Sequence, residues 1–205
     1  MTRTIIKKYN AEIHSQSAIE GILELKQEDP FSPADVQRIE IEIFDVAHKI
    51  IGGGEEGDKT IVLNKEQADH SLQYMVAAAL LDDQVMPEQY LPDRIERKDV
   101  QTLLHKITVR PRKDFSDRFP DEMPCRLIVF YETAGPSSKK SETMKDSTPA
   151  RCSGRLSPGN SSSSASRYAD PSLRRDIGEA IFRIETLRSA GPHAAFGPGS
   201  VLDRF

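Results

Sequence analysis

The chain has 205 residues, 37% hydrophobic and 29% charged, with a formal charge of −4. That length admits one large domain or two small ones, and the acidic balance excludes a generic nucleic-acid binder, whose first mark is a basic face. Two cysteines, Cys125 and Cys152, give neither a disulfide framework nor a metal-ligand spacing, and no apolar run reaches the length of a membrane span.

The first ten residues lack the apolar core of a signal peptide and enter a strand-like pair, Ile5 and Ile6, almost at once. That start is expected of a chain with further sequence upstream. “KKYNAEIHSQSAIE” then gathers Lys7, Lys8, Glu12, His14, Ser15 and Gln16 at a loop-to-helix junction. Helix starts favour anions through free backbone N–H groups and the dipole, so this junction suits a ligand with several carboxylates; a capped helix beside a charged segment is the structural alternative. Ile19, Ile22 and Leu23 share a helical face, with Ser15 or Ser17 as the cap.

“VQRIEIEIFD” alternates apolar and polar residues, which predicts a half-buried strand in an antiparallel rather than a doubly covered sheet. The glycine-rich “GGGEEGDKT” that follows resembles a phosphate loop in spacing. Asp58 before the lysine and the Glu55–Glu56 pair oppose that chemistry, so it reads as a mobile connection. The spacing of Leu72, Met75, Val76, Ala79 and Leu80 predicts a helix over 65–81. On it His70 and Tyr74, four apart, would share a face and offer an imidazole and a phenol for binding carboxylates or moving protons. Capping the core with one hydrogen bond each is the alternative role. A shorter helix points Val100, Leu103 and Leu104 inward, and “KITVRP” and “CRLIVFYE” supply two further strands. The basic cluster of Arg110, Arg112 and Lys113 reads as a solvated loop. Helices and strands out of strict alternation make an α+β domain over residues 1–134.

The strings “KKYNAEIHSQSAIEGILEL”, “IEIFDVAHKIIGGGEEGDK”, “KEQADHSLQYMVAAALLDDQVMPEQY” and “FSDRFPDEMPCR” resemble the C-terminal part of the MmgE/PrpD family, closest to its 2-methylcitrate dehydratases. The resemblance implies a smaller α+β lid-type domain, an antiparallel sheet flanked by helices, that follows a large helical domain. It implies a tricarboxylate substrate, no metal, no iron–sulfur cluster or other cofactor, and a homodimer, with no nucleic-acid or membrane partner. The branch it points to removes water from 2-methylcitrate in propionate breakdown; a sister branch decarboxylates cis-aconitate. By the same resemblance Lys7 or Lys8 and His14 pair with substrate carboxylates, Ser15 and Gln16 hydrogen-bond them, and His70 and Tyr74 orient groups or transfer protons. Most of the family's catalytic groups belong to the helical domain, so this chain alone is not expected to turn over, and a non-catalytic remnant is a further reading. Few cysteines imply a reducing compartment: the mitochondrial matrix if eukaryotic, the cytoplasm if bacterial. Asp83 stands where the family usually has glycine.

Residues 135–167 are serine-rich and are expected to be disordered, before a helix over 168–190 and a flexible tail over 191–205. Their codons carry a second reading. Taken one nucleotide earlier, “ETMKDSTPARCSG” can spell “DYEGFHTRPMFW” and “GNSSSSA” can spell “GKFEQLS”, both resembling segments the family has at this point. A frameshifted segment over about 137–166 is the expectation that follows.

Overall fold

The computed structural model describes residues 7–132, 140–147 and 170–182, and the chain divides into two units, Met1–Ser153 and Gly154–Phe205. In the first unit a 3-10 turn, Ile13–Ser15, leads into helix α1 (Gln16–Glu28) and then strand β1 (Val36–Ile43). A short helical turn, α2 (Asp45–Ala47), runs into a π-helical turn, His48–Gly52, closed by Gly53 at φ 100°. Helices α3 (Lys65–Asp69), α4 (Leu72–Asp82), α5 (Pro92–Ile95) and α6 (Lys98–Leu104) follow, then β2 (Ile107–Pro111), α7 (Lys113–Ser116), β3 (Cys125–Glu132) and β4 (Lys140–Ser147).

The strands form one sheet in the order β2-β1-β3-β4. The α+β architecture is as the sequence predicts, and the sheet is mostly antiparallel, but β1 pairs with β2 in parallel, Ile39 opposite Ile107. The reason is the connection: parallel neighbours need a long crossover, and here helices α2 to α6 supply it. Alternation sets the two faces. Ile39, Ile41 and Ile43 of β1 and Cys125, Leu127 and Val129 of β3 are buried together, each side chain of Ile or Leu size contributing about 1.5–3 kcal/mol when fully buried. The opposite face carries Arg38, Glu40, Glu42 and Arg126, with the Arg38 guanidinium 3.4 Å from the centre of the Phe130 ring.

The helix expected over 65–81 is two helices. Asn64 caps α3 by accepting from Gln67 N at 2.9 Å, and Ser71 starts α4 afresh by accepting from Tyr74 N at 3.0 Å. Two good N-caps close together override a continuous apolar period. From Leu72 to Leu80 every residue of α4 is buried, as befits a helix with α1, α6 and β2 around it. α4 ends at Asp83, whose φ of 58° is left-handed, so the position at which the resemblance leads one to expect glycine is one that favours glycine.

Within the stretch 135–167, Lys140–Ser147 forms β4 and pairs antiparallel with all of β3, Cys125 opposite Ser147. That differs from the expected disorder. An uncovered β3 would present a row of unpaired backbone groups, and pairing through the main chain satisfies them whatever the side chains are. The remainder of that stretch and the tail over 191–205 lie outside the described residues. In the second unit the described part is helix α8 (Pro171–Phe182), capped by Asp170, whose Oδ1 accepts from Ser172 N at 2.8 Å and Leu173 N at 3.0 Å. Among the described residues no helix is long and apolar enough to cross a membrane.

Candidate functional site

A cleft of about 620 Å³ opens between the segment before α1 and the end of α3, lined by Lys7, Asn10, Ala11, Glu12, Ile13, Asp69 and His70. Two buried devices hold the first wall. Asn10 N donates to Val85 O at 2.9 Å. Gln16, 6% exposed, turns its amide back under the segment: Oε1 accepts from Lys8 N at 3.1 Å and Tyr9 N at 3.0 Å, while Nε2 faces the carbonyls of Tyr9, Ala11 and Glu12 at 3.3, 3.4 and 3.5 Å. The second wall is the C-cap of α3. There the His70 ring, 52% exposed, lies with Nδ1 3.1 Å from Asp69 Oδ1 and 3.2 Å from Glu66 O.

The seven residues singled out from the sequence therefore separate. Lys7 and His70 meet at the cleft. Lys8 instead pairs with Glu20 of α1 at 2.6 Å. Ser15 is buried and donates to Glu12 O at 2.6 Å, so it occupies the cap position without capping α1 through its side chain. Gln16 is consumed by the backbone it staples. His14, its side chain 14% exposed, is set edge-on to Phe44 and tilted against Phe119. Its Nδ1 lies 2.8 Å from Glu12 Oε1 without the alignment of a hydrogen bond, while its backbone N donates to Glu12 Oε2 at 2.7 Å. Tyr74 is fully buried, and its hydroxyl donates to Gln89 O. Burial pushes that phenol up to about 12. The shared face expected of His70 and Tyr74 does not exist, because the break at Ser71 puts them on different helices.

Asn10 and Asp69 were not legible as cleft residues. Asp69 adjoins His70 in “ADHS”, a usable hint, but Asn10 reaches the cleft through its bond to Val85, which no local pattern encodes. The basic cluster is a surface feature: Arg112 pairs with Glu42 and Asp114 at 2.7 and 2.6 Å, and Lys113 with Asp117 at 2.7 Å. Among the described residues no group of three His, Cys, Asp or Glu side chains could hold a metal.

Chemically the cleft offers the Lys7 ammonium, the Asn10 amide and the His70 Nε2, none with a side-chain partner among the described residues, beside the carboxylates of Glu12 and Asp69. The fold and this cleft define an α+β domain with cationic and amide donors gathered at a helix-bearing rim. Its family is that of the C-terminal domain of MmgE/PrpD: residues 9–152 match it, more than half of the chain, and the chain belongs to that family. No curated protein matches the chain.

Proposed function

We propose that the chain is the C-terminal portion of a 2-methylcitrate dehydratase-like hydro-lyase, and that the cleft between Lys7 and His70 receives one end of a tricarboxylate. The observation that carries this reading is that Lys7 and Asn10, before α1, converge with the sequence-distant His70 on one open cleft, of which Asn10 and His70 belong to the matched domain and Lys7 immediately precedes it. An ammonium and an amide suit carboxylate oxygens. Dehydration needs a base for the proton on carbon and an acid for the departing hydroxyl, and His70 is the imidazole at the cleft able to serve in either role. His14 and Tyr74 support it from behind: His14 sets the Glu12 wall, and Tyr74 ties α4 to the turn below. Lys8, Ser15 and Gln16 hold the segment that carries Lys7. A homodimer belongs to the same proposal, checked by the sedimentation of the full chain.

The test is incubation of the chain with 2-methylcitrate and with cis-aconitate. Water loss from the first is expected of a dehydratase; carbon dioxide from the second would replace this reading with a decarboxylase. With neither, citrate binding decides whether the cleft is a tricarboxylate site. Lys7→Ala should weaken citrate binding roughly ten- to hundredfold, the worth of one charge-assisted contact, and His70→Ala about five- to tenfold, that of a neutral hydrogen bond. Unaltered binding in both removes the cleft from the proposal.

A further inference from the structure

Asp69 has no role in the reading above beyond lining the cleft, yet its carboxylate sits against the one ring nitrogen that must be settled before His70 can act. Nδ1 of His70 faces two oxygens at once, Asp69 Oδ1 at 3.1 Å and Glu66 O at 3.2 Å. A neutral imidazole has one N–H and one lone pair, and which nitrogen carries the proton is set by the partner the other atom finds. A lone pair on Nδ1 would confront two oxygens with lone pairs of their own. A proton there bonds to the Glu66 carbonyl and is attracted by the Asp69 carboxylate beside it, which lacks the alignment of a hydrogen bond.

We infer that Asp69, together with the Glu66 carbonyl, is a positioning residue that holds neutral His70 as the Nδ1–H tautomer and so presents Nε2 to the cleft as a hydrogen-bond acceptor. Nε2 has no protein partner among the described residues, and the ring lines the cleft. The consequence is selective. An acceptor at this point welcomes a ligand hydroxyl and opposes a carboxylate oxygen, whereas Lys7 and Asn10 do the reverse. The cleft then distinguishes a hydroxylated tricarboxylate from the same skeleton without its hydroxyl, because a polar group left unmatched costs more than a missing contact. This inference rests on the tricarboxylate reading of the cleft, and its first measurement does not.

That measurement is nitrogen-15 NMR of the histidine rings in the full chain at a pH where His70 is neutral. The expected result is the Nδ1–H pattern for His70; an Nε2–H pattern overturns the inference whatever the cleft binds. The second measurement compares citrate with tricarballylate, the same tricarboxylate lacking the hydroxyl. Citrate should bind about five- to tenfold more tightly, one hydrogen bond's worth. In Asp69→Ala that ratio should fall and the ring should move part of the way to the Nε2–H form that free histidine favours, the Glu66 carbonyl still accepting from Nδ1, and Asp69→Asn, which removes the charge, should do the same. Asp69 is partly exposed, so the fold should survive either change, and a thermal melt checks this. Asp69→Ala with unchanged tautomer and ratio overturns the role of Asp69. Binding of neither acid overturns the tricarboxylate reading itself and the selectivity with it.

Discussion

Gln16→Leu separates a residue that holds the site from one that touches the ligand. Leucine is one heavy atom shorter and has no polar atoms, so the two backbone N–H groups that Oε1 now accepts from lose their partner. Lys8 is exposed and its N–H reaches water. Tyr9 is 8% exposed, and its N–H does not. One buried donor left unsatisfied costs about 1–3 kcal/mol. The Nε2 contacts at 3.3–3.5 Å add little, being at or beyond the long end of useful hydrogen bonds. The expected loss is therefore about 2 kcal/mol, which lowers Tm by about 4–8 °C in a unit of this size. Urea denaturation followed by far-ultraviolet circular dichroism measures the first quantity, and citrate binding at a temperature where the variant is folded measures the second. Binding should weaken as well, because the freed segment carries Lys7 and Asn10. An unchanged stability together with lost binding would refute the reasoning and return Gln16 to the ligand.

Other outcomes are expected from the same geometry. Arg94, its side chain 9% exposed, grips Asp82 through Nε at 2.7 Å and Nη2 at 2.9 Å and reaches Asp99 at 3.2 Å; Arg94→Met should cost about 3 kcal/mol by leaving a partly buried carboxylate unpaired, and a melt unchanged within 0.5 °C (about 0.2 kcal/mol) would rule that out. Burial alone would raise the Asp82 carboxyl, but Arg94 and Gln89 outweigh it and hold it below the ordinary carboxylate range. Its contribution is thus complete above the unfolded value of about 3.9 and is lost as pH falls through the lower folded value. Asp82→Asn should flatten the acid limb of a stability–pH curve, and an identical limb in both proteins would count against the pair. Tyr74 shows the opposite sign. Its neutral phenol is favoured by folding, so the contribution is full below the unfolded value of about 10 and is lost between there and about 12; burial raises Tyr9 and Tyr90 as well, so absorbance titration should find Tyr9, Tyr74 and Tyr90 missing from the tyrosines that ionise near pH 10 in the unfolded chain, and all three ionising there in the folded chain would refute the sign. At Asp83, Gly should be more stable than Ala by about 1 kcal/mol because of the left-handed backbone, with the Lys26 pair at 2.5 Å lost equally in both; equal stabilities would deny the strain. The coding DNA behind residues 137–166 should spell the family segments when read one nucleotide earlier, and codons unable to do so end the frameshift proposal, which now also meets a family match reaching residue 152.

Much of the architecture is legible without coordinates because it rests on short-range regularity. The period of two over Val36–Ile43 places β1 with its wet and dry faces, and Val100, Leu103 and Leu104 turn inward on α6 as their spacing requires. Asp83 declares itself through its place at the end of an apolar helix. Where the reading from sequence departs from the fold, a competing local interaction or a distant partner has intervened. Ser71 caps a new helix inside an unbroken apolar period, which moves Tyr74 into the core and leaves His70 at the surface. The parallel β1–β2 pair follows from how the intervening helices route the chain, which alternation along one strand does not report.

The site divides in the same way. The concentration of lysine, histidine, serine and glutamine before α1, and the Asp69–His70 neighbours, are properties of the chain itself. Their division of labour is a property of the fold. Lys8 finds Glu20 and Gln16 finds the backbone of residues 8–12, so neither is left for a ligand, while Lys7 lines a cleft together with His70. Sequence supplies the types of group available. Only packing decides which of them have already spent their hydrogen bonds on the protein, because each donor and acceptor satisfied inside the fold is no longer available outside it.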